Sequence, residues 1–445
     1  MLQRVGETVD PKDAVVKIQD ACFPAPFASE LEYNSPVHGN WNIVHTGMLV
    51  PEAIQIYVCA DNCMRGVVLT AAEMNAADRF SFVIVEEQHV LNGNLEDITI
   101  EGVTDVLNKR GDHPKAVLLF TVCLHHFVGS NLTYIYNELE RRFPDICFIR
   151  CYMDPIMQKH GLTPVQKLRK AMYDPLPECE ADEKTVSVFG SDFLLDESSD
   201  IKRLLRRYGY TVRELPTCET WQDLLDMSKG RLFLDIYPAG KYGMETQARR
   251  LHRAHLYLPG SFDYEEIEQQ LKQLTDALGI PELSREKLDV ERFACEEVLA
   301  KAKALIGDMP ITLDYLYHPR PLGLAKLLLT HGFNVKAVYL DGISPEEKAA
   351  FDWLQKYAPE LELIATIQVK MRVLPRGGKE EVLAIGQKAA YFSRSRHFVN
   401  LVQGEGLYGF DGIRRTAELM MEAYREEKDT EKLVVQKGWG CECCL

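Results

Sequence analysis

Residues 116–153, AVLLFTVCLHHFVGSNLTYIYNELERRFPDICFIRCYM, decide the fold. An unbroken apolar run ends at Cys123. A glycine-bearing loop and an amphipathic stretch follow, and then a second apolar run reaches Met153. Continuous apolar strands are buried on both faces, and the amphipathic helix between them supplies the cover, so the unit reads as a parallel strand–helix–strand crossover. Upstream, FSFVIVE (80–86) is another buried strand and Glu96–Lys109 a helix that stops near Gly111. Downstream the alternation recurs twice. TVSVFGSD (185–192), YTVREL (210–215), RLFLDIYP (231–238) and HLYLP (255–259) are strands separated by helical stretches, with Ser198 or Ser199 capping the first helix and Gly209 stopping it. ITLDYLYH (311–318), FNVKAVYLDG (333–342) and LELIATI (361–367) form a third set.

The expected fold class is therefore α/β, with three Rossmann-like parallel-sheet domains in series. Their spans are 1–182, 183–308 and 309–430, with a cysteine-rich tail at 431–445. Residues 1–55 read as irregular and 152–184 as a polar, proline-rich connection. In such sheets ligands sit beyond the carboxyl ends of the strands.

The chain has 445 residues, too many for one core, and a net charge of −15. That charge argues against nucleic acid, because binding phosphates needs a basic surface, and against an anionic membrane surface. No apolar run reaches membrane-spanning length, and MLQRVGETVDPKDAVVK lacks the apolar centre of a secretory signal. The expectation is a cytoplasmic protein.

In such a setting the twelve cysteines are reduced, and read as metal ligands, reactive thiols or core filler. Seven lie in the first 180 residues and three in the last five. Within IYVCADNCMRGVVLT (56–70), Cys59 and Cys63 stand four apart, the spacing that meets on one face of a helical turn. Cys22 and Cys123 bracket them at the ends of apolar runs. Thiolates gathered from several loops are how a protein holds an iron–sulfur cluster, while the bland alternative is buried cysteine acting as a small hydrophobe. Cys147 reads as core and Cys151 as either. Cys441, Cys443 and Cys444 form a tail that ligates a metal or simply lacks structure. No CxxC…CxxC pattern supports structural zinc. Candidates at the strand ends are Tyr237, Lys241, His318, Arg320, His397 and Asn400, with an arginine such as Arg320 suited to clamping a carboxylate or phosphate. Surface or structural use is the plainer reading of each. Gly240-Lys241-Tyr242-Gly243 lacks the spacing of a phosphate loop. His125 and His126 read either as donors beside Cys123 or as polar loop residues.

Several stretches together resemble the subunits of nitrogenase component 1 and its relatives among protochlorophyllide reductases, F430-synthesis reductases and cofactor-assembly scaffolds. They are Cys22, His38-Gly39, Val85-Glu86-Glu87, VCLHHFVGSN (122–131), SSDIKRLLRRYGYTVRELPTCETWQDLLDMSKGRLFLDI (198–236) and GLYGFDGI (406–413), in that order. The resemblance implies three Rossmann-like domains and a cluster of the [4Fe–4S] type or larger on Cys22, Cys59, Cys63 and Cys123. It also implies a homodimer or a paralogous heterodimer partner, an ATP-hydrolysing iron protein as electron donor, and a small-molecule substrate between the domains, with no nucleic acid and no membrane. The sequence departs from the pattern in places. No cysteine closely follows the His38-Gly39 turn, so Cys59 or Cys63 would have to substitute, and Asn131 stands where the family has aspartate. By the same resemblance, Tyr237 and Asn400 occupy the positions of the cysteine and histidine that anchor the dinitrogenase metallocluster, so no FeMo-type cofactor and no dinitrogen reduction are expected. The leading expectation is an iron–sulfur oxidoreductase, with His318 or His397 as proton donor and Arg320 in the cleft. The alternatives are a metallocluster scaffold or carrier without turnover, and a binding module that kept the fold.

Overall fold

A computed structural model describes residues 14–27, 42–154, 161–368, 371, 376–377 and 380–429. His38-Gly39 and Cys441, Cys443 and Cys444 lie outside the described residues. The strands are β1 (Val15–Lys17), β2 (Ala53–Cys59), β3 (Phe80–Ile84), β4 (Ala116–Val122), β5 (Cys147–Met153), β6 (Asp182–Phe189), β7 (Thr211–Glu214), β8 (Gly230–Asp235), β9 (Ala254–Tyr257), β10 (Pro310–Asp314), β11 (Asn334–Leu340), β12 (Glu362–Ala365), β13 (Leu383–Ile385) and β14 (His397–Val399). They form three sheets, ordered β3-β2-β4-β5, β7-β6-β8-β9 and β1-β12-β11-β10-β13-β14. Every pairing is parallel except β1 with β12. The class is α/β with Rossmann-like sheets, as the apolar runs imply.

The central strand β2 shows why these runs become strands. Its side chains alternate between two cores: Ile54, Ile56 and Val58 pack on one face, and Ala53, Tyr57 and Cys59 on the other. All seven residues are buried. This period of two overrides the helical reading of Cys59 and Cys63. Cys59 is the last residue of β2, and Cys63 closes a separate 3-10 turn, Asp61–Cys63. The two thiols do not share a helical face.

Three other expectations change. Residues 1–55 are not irregular throughout: they supply a short helix, Ile43–Gly47, and strand β1. β1 pairs antiparallel with β12, with Val15 opposite Ile364, so this segment extends the third sheet and not the first. The proline-rich connection at 152–184 contains the helix Pro164–Tyr173. Proline suits the first helical position, where no N–H is needed, and Thr163 and Gln166 complete a capping box there.

The second and third sheets are joined through two stretches singled out in the sequence. Asp200, at the start of the helix Asp200–Arg207, accepts the backbone N–H of Phe410 at 2.6 Å, at the start of the helix Gly409–Arg425. Gly409 has φ +67°, and a Cβ there would come within 2.3 Å of the Asp200 carboxylate. The close approach and the left-handed backbone together require glycine. One core cluster accordingly runs through both sheets and the 22-residue helix Arg285–Ile306. Among the described residues no helix is long and apolar enough to cross a membrane.

Candidate functional site

The loops beyond the carboxyl ends of the second and third sheets face the first domain across a cavity of about 900 Å³. The first domain contributes His45, Thr70 and Glu73; the second, Asp192, Tyr237, Lys241 and Glu245; the third, Tyr315, Asp341, Glu346, Gln387 and Gln403. Parallel sheets place their ligand sites at this edge, because each strand's following loop is free to diverge there.

Each wall is held from behind. Asp192 is ion-paired to Arg169, whose side chain is fully buried on the helix Pro164–Tyr173, and takes a hydrogen bond from the Gln403 amide at 2.7 Å. Tyr237 follows Asp235, a buried carboxylate that accepts the Tyr237 N–H at 3.1 Å and whose pKa burial pushes up to about 8. Lys241 opens the helix Lys241–Arg250 and lies over the Tyr257 ring, 4.6 Å from its centroid. The Tyr257 hydroxyl donates to Glu346 at 2.9 Å. On the third-domain wall, the buried Lys388 donates to the Tyr315 hydroxyl at 2.8 Å and to Thr366 at 3.0 Å, while Thr366 donates to Asp341. Burial, with Asp341 adding, holds the Tyr315 phenol pKa well above its usual value, so the phenol keeps its proton. His45 is bonded to Asn42 at 2.7 Å, and burial lowers its pKa.

Of the residues singled out by sequence, Tyr237 and Lys241 line this cavity. His318, Arg320 and His397 do not. His318 is buried, accepts the Arg320 backbone N–H at 3.1 Å and stands edge-on to Phe262. Burial, with the Arg320 guanidinium adding, lowers its pKa to about 3, so at neutral pH it has no proton to give from a charged ring. Arg320 is turned into the protein, forked onto Glu266 and bonded to the carbonyls of Gly260 and Glu346 at 3.2 and 3.0 Å. His397 begins β14, and in a parallel sheet that end is remote from the carboxyl edge; its Nδ1 lies 3.0 Å from the Ala423 carbonyl. Asn400 takes a hydrogen bond from Gln387 at 2.9 Å. The wall residues Glu73, Asp192, Tyr315, Asp341 and Glu346 were not singled out. Asp192 and Asp341 carried one signal, a position just past a strand's carboxyl end.

His318 gives a pH test. Its folded pKa lies below the unfolded value near 6.5, so the unfolded chain binds the extra proton. The neutral ring's contribution is complete above about pH 6.5 and is lost as pH falls from there toward 3, by about 1.4 kcal/mol per pH unit. His318→Asn, which cannot titrate, is expected to narrow its stability gap to the wild type at that rate between pH 6.5 and 4. Parallel urea-stability curves for the two proteins would refute the assignment.

The cysteines form a second feature. Cys59 ends β2 and Cys123 directly follows β4, its neighbour in the sheet, so both lie at the carboxyl edge of the first sheet, with Cys63 in the adjoining turn. Burial pushes the Cys59 pKa up to about 12, with Cys63 and Asp61 adding. Burial also raises that of Cys63, with Cys123 adding. Cys22 comes from a different part of the fold. The pairing of β1 with β12 carries its segment onto the third sheet, where Gln355 bonds the Ala21 carbonyl and Phe23 packs on Phe351. Among the described residues no three His, Cys, Asp or Glu side chains are gathered as a ready metal site. Cys151 is fully buried in the core and Cys147 half-buried at its edge. His125 is tied to the Val122 N–H and to Thr99, both at 3.2 Å, and His126 lies 3.0 Å from Asp154.

The sequence profile of the nitrogenase component 1 type oxidoreductases matches residues 79–425. The chain belongs to that family. Nitrogenase component 1 type oxidoreductases bind metalloclusters and work as multimers with an ATP-dependent iron protein. Solved structures share the fold, two nitrogenase structures among them. "Nitrogenase Cp1 at pH 6.5" has a TM-score of 0.65 at 13% identity, covering 89% of this chain and 94% of that one. "Nitrogenase Cp1 at pH 5" has a TM-score of 0.55 at 13% identity, covering 93% and 94%. Among curated proteins, none matches the chain. As a member of the nitrogenase component 1 type family, this chain keeps thiols on the first sheet's carboxyl edge and an open space between domains. No cysteine is among the described residues that line that space.

Proposed function

We propose that this protein is one subunit of an iron–sulfur reductase, taking low-potential electrons from an ATP-hydrolysing iron protein and passing them to a small molecule in the interdomain cavity. The observation that carries this reading is the pairing, in one chain, of a thiol-bearing edge with a large cavity. Cys59, Cys63 and Cys123 would hold the cluster. They suit it in chemistry, as thiols drawn from a strand end, a turn and a helix start, but three such ligands leave a four-iron cluster short of one, so a second copy or a paralogous chain supplies the rest. The exposed Leu91, Phe127 and Val128 lie on the loops and helices around that edge and favour such a partner. When bound, the cluster supplies one-electron transfer. Dinitrogen is not the expected substrate, since Tyr237 stands on the cavity wall where the dinitrogenase pattern has cysteine.

The chain's own residues supply the orientation. Tyr315 keeps its phenol proton and, braced by Lys388, can orient a bound molecule by hydrogen bonding. Gln403 and Asp192 brace one wall, and Tyr237 another.

The test is to incubate anaerobically purified protein with a pre-reduced ATP-hydrolysing iron protein of the kind that serves this family. The expected result is a reduced-cluster EPR signal that requires both the partner and ATP. A signal that never develops in a protein shown to hold iron, or a cluster handed over stoichiometrically to another protein, would overturn the reductase reading.

A further inference from the structure

The chemical class of the cavity's ligand is legible in its walls, and this inference rests on the cavity being the ligand site. Five carboxylates line it, Glu73, Asp192, Glu245, Asp341 and Glu346, against a single described lysine, Lys241. Two of the five are answered from behind. Arg169 neutralises Asp192, and Lys388 stands behind Asp341 across Thr366. Glu73, Glu245 and Glu346 remain against Lys241, with the charge of Arg320 also felt by Glu346 from behind. Glu346 uses one oxygen to accept from Tyr257, and its other oxygen is buried without a hydrogen-bond partner. The lowered pKa of His45 means it adds no positive charge at neutral pH. Arg320, the cation expected to face this space, is committed to Glu266. A partly enclosed space concentrates such a field, because its low-dielectric walls screen less than water does. The rest of the lining mixes neutral polar side chains such as Gln166, Gln387 and Gln403 with rings, of which Phe193, Tyr237, Tyr242 and Tyr315 are prominent. Electron-rich ring faces attract cations as well.

We propose that the cavity binds an organic cation with a flat, apolar body, and discriminates against anions of the same shape. The acidic wall meets the positive centre and the tyrosines cover the ring.

Two planar three-ring dyes test this, thionin with one positive charge and resorufin with one negative, titrated into the full-length protein near neutral pH. Thionin is expected to bind one site at least about tenfold more tightly than resorufin. Glu73→Gln and Glu346→Gln are each expected to weaken thionin about threefold or more, whereas Glu297→Gln, on the exposed face of the helix Arg285–Ile306, leaves it unchanged. Filling the cavity with Ala239→Trp abolishes binding, and Leu69→Trp provides the same test should the first variant fail to fold. Resorufin binding as tightly as thionin would overturn the proposal. So would thionin binding that ignores both tryptophans, since the dye would then sit on the acidic surface. Iron measured on the same samples separates this from the redox reading: an iron-free protein that still prefers thionin retains the ligand class and loses the reductase.

Discussion

Arg320→Ala is expected to destabilise the protein by about 3 kcal/mol in urea unfolding, with no change in iron content. The Arg320 side chain is only 6% exposed and makes four hydrogen bonds, two to Glu266 and two to backbone carbonyls. Truncation strands the Gly260 and Glu346 carbonyls and removes the charged partner of Glu266, which keeps the hydrogen bonds from Ser261 and Gln270. Each unmet buried acceptor costs about 1–3 kcal/mol, while the part-exposed Glu266 recovers some solvation and limits the total. Arg320→Lys is expected to recover only part of the loss, because one ammonium cannot form the two-pronged contact with the Glu266 carboxylate. Unchanged stability together with lost substrate binding would return Arg320 to the cleft.

The second large effect concerns iron. Cys63→Ser and Cys123→Ser are each expected to remove most of the protein's iron, measured on anaerobically prepared samples, with the fold intact by circular dichroism. Both thiols lie away from the tightest packing, since Cys63 is exposed and Cys123 half-buried, so serine costs little in stability. Serine is a much poorer ligand for iron than thiolate. Cys59→Ser adds a fold penalty, because that side chain is fully buried in the first sheet's core. Cys22→Ser is expected to keep its iron, since its segment is packed on the third sheet. Full iron in the Cys63 and Cys123 variants, with loss in Cys22→Ser, would invert the ligand assignment.

The sheets were legible because a strand buried on both faces must be apolar throughout. AVLLFTV, buried along its whole length, can satisfy that only as an interior strand of a covered sheet. What escaped was decided by contacts distant in sequence. β1 is three residues long, and only its pairing with Glu362–Ile364 gives it a place. The helix around Arg169 was hidden by its prolines, and a fully buried arginine has no signature until Asp192 is seen beside it. Cys59 and Cys63 show the limit of spacing as a guide, since four residues mean one face only if the backbone is helical. Arg320 and His318 sat where a loop was expected to meet the cavity, but Glu266 and Phe262, from a different element, drew them inward. The cavity's carboxylates come from all three domains, and no local pattern announces a wall assembled that way.

The central claim, a thiol-held redox cluster in a chain of this family, is tested most directly by iron and acid-labile sulfide analysis of anaerobically purified protein, with EPR after dithionite reduction. The account predicts about four irons and a matching amount of sulfide per chain, or per pair of chains, together with a reduced-cluster signal. Protein that holds no iron, even after anaerobic reconstitution with iron and sulfide, would contradict it and leave a binding protein built on the same fold.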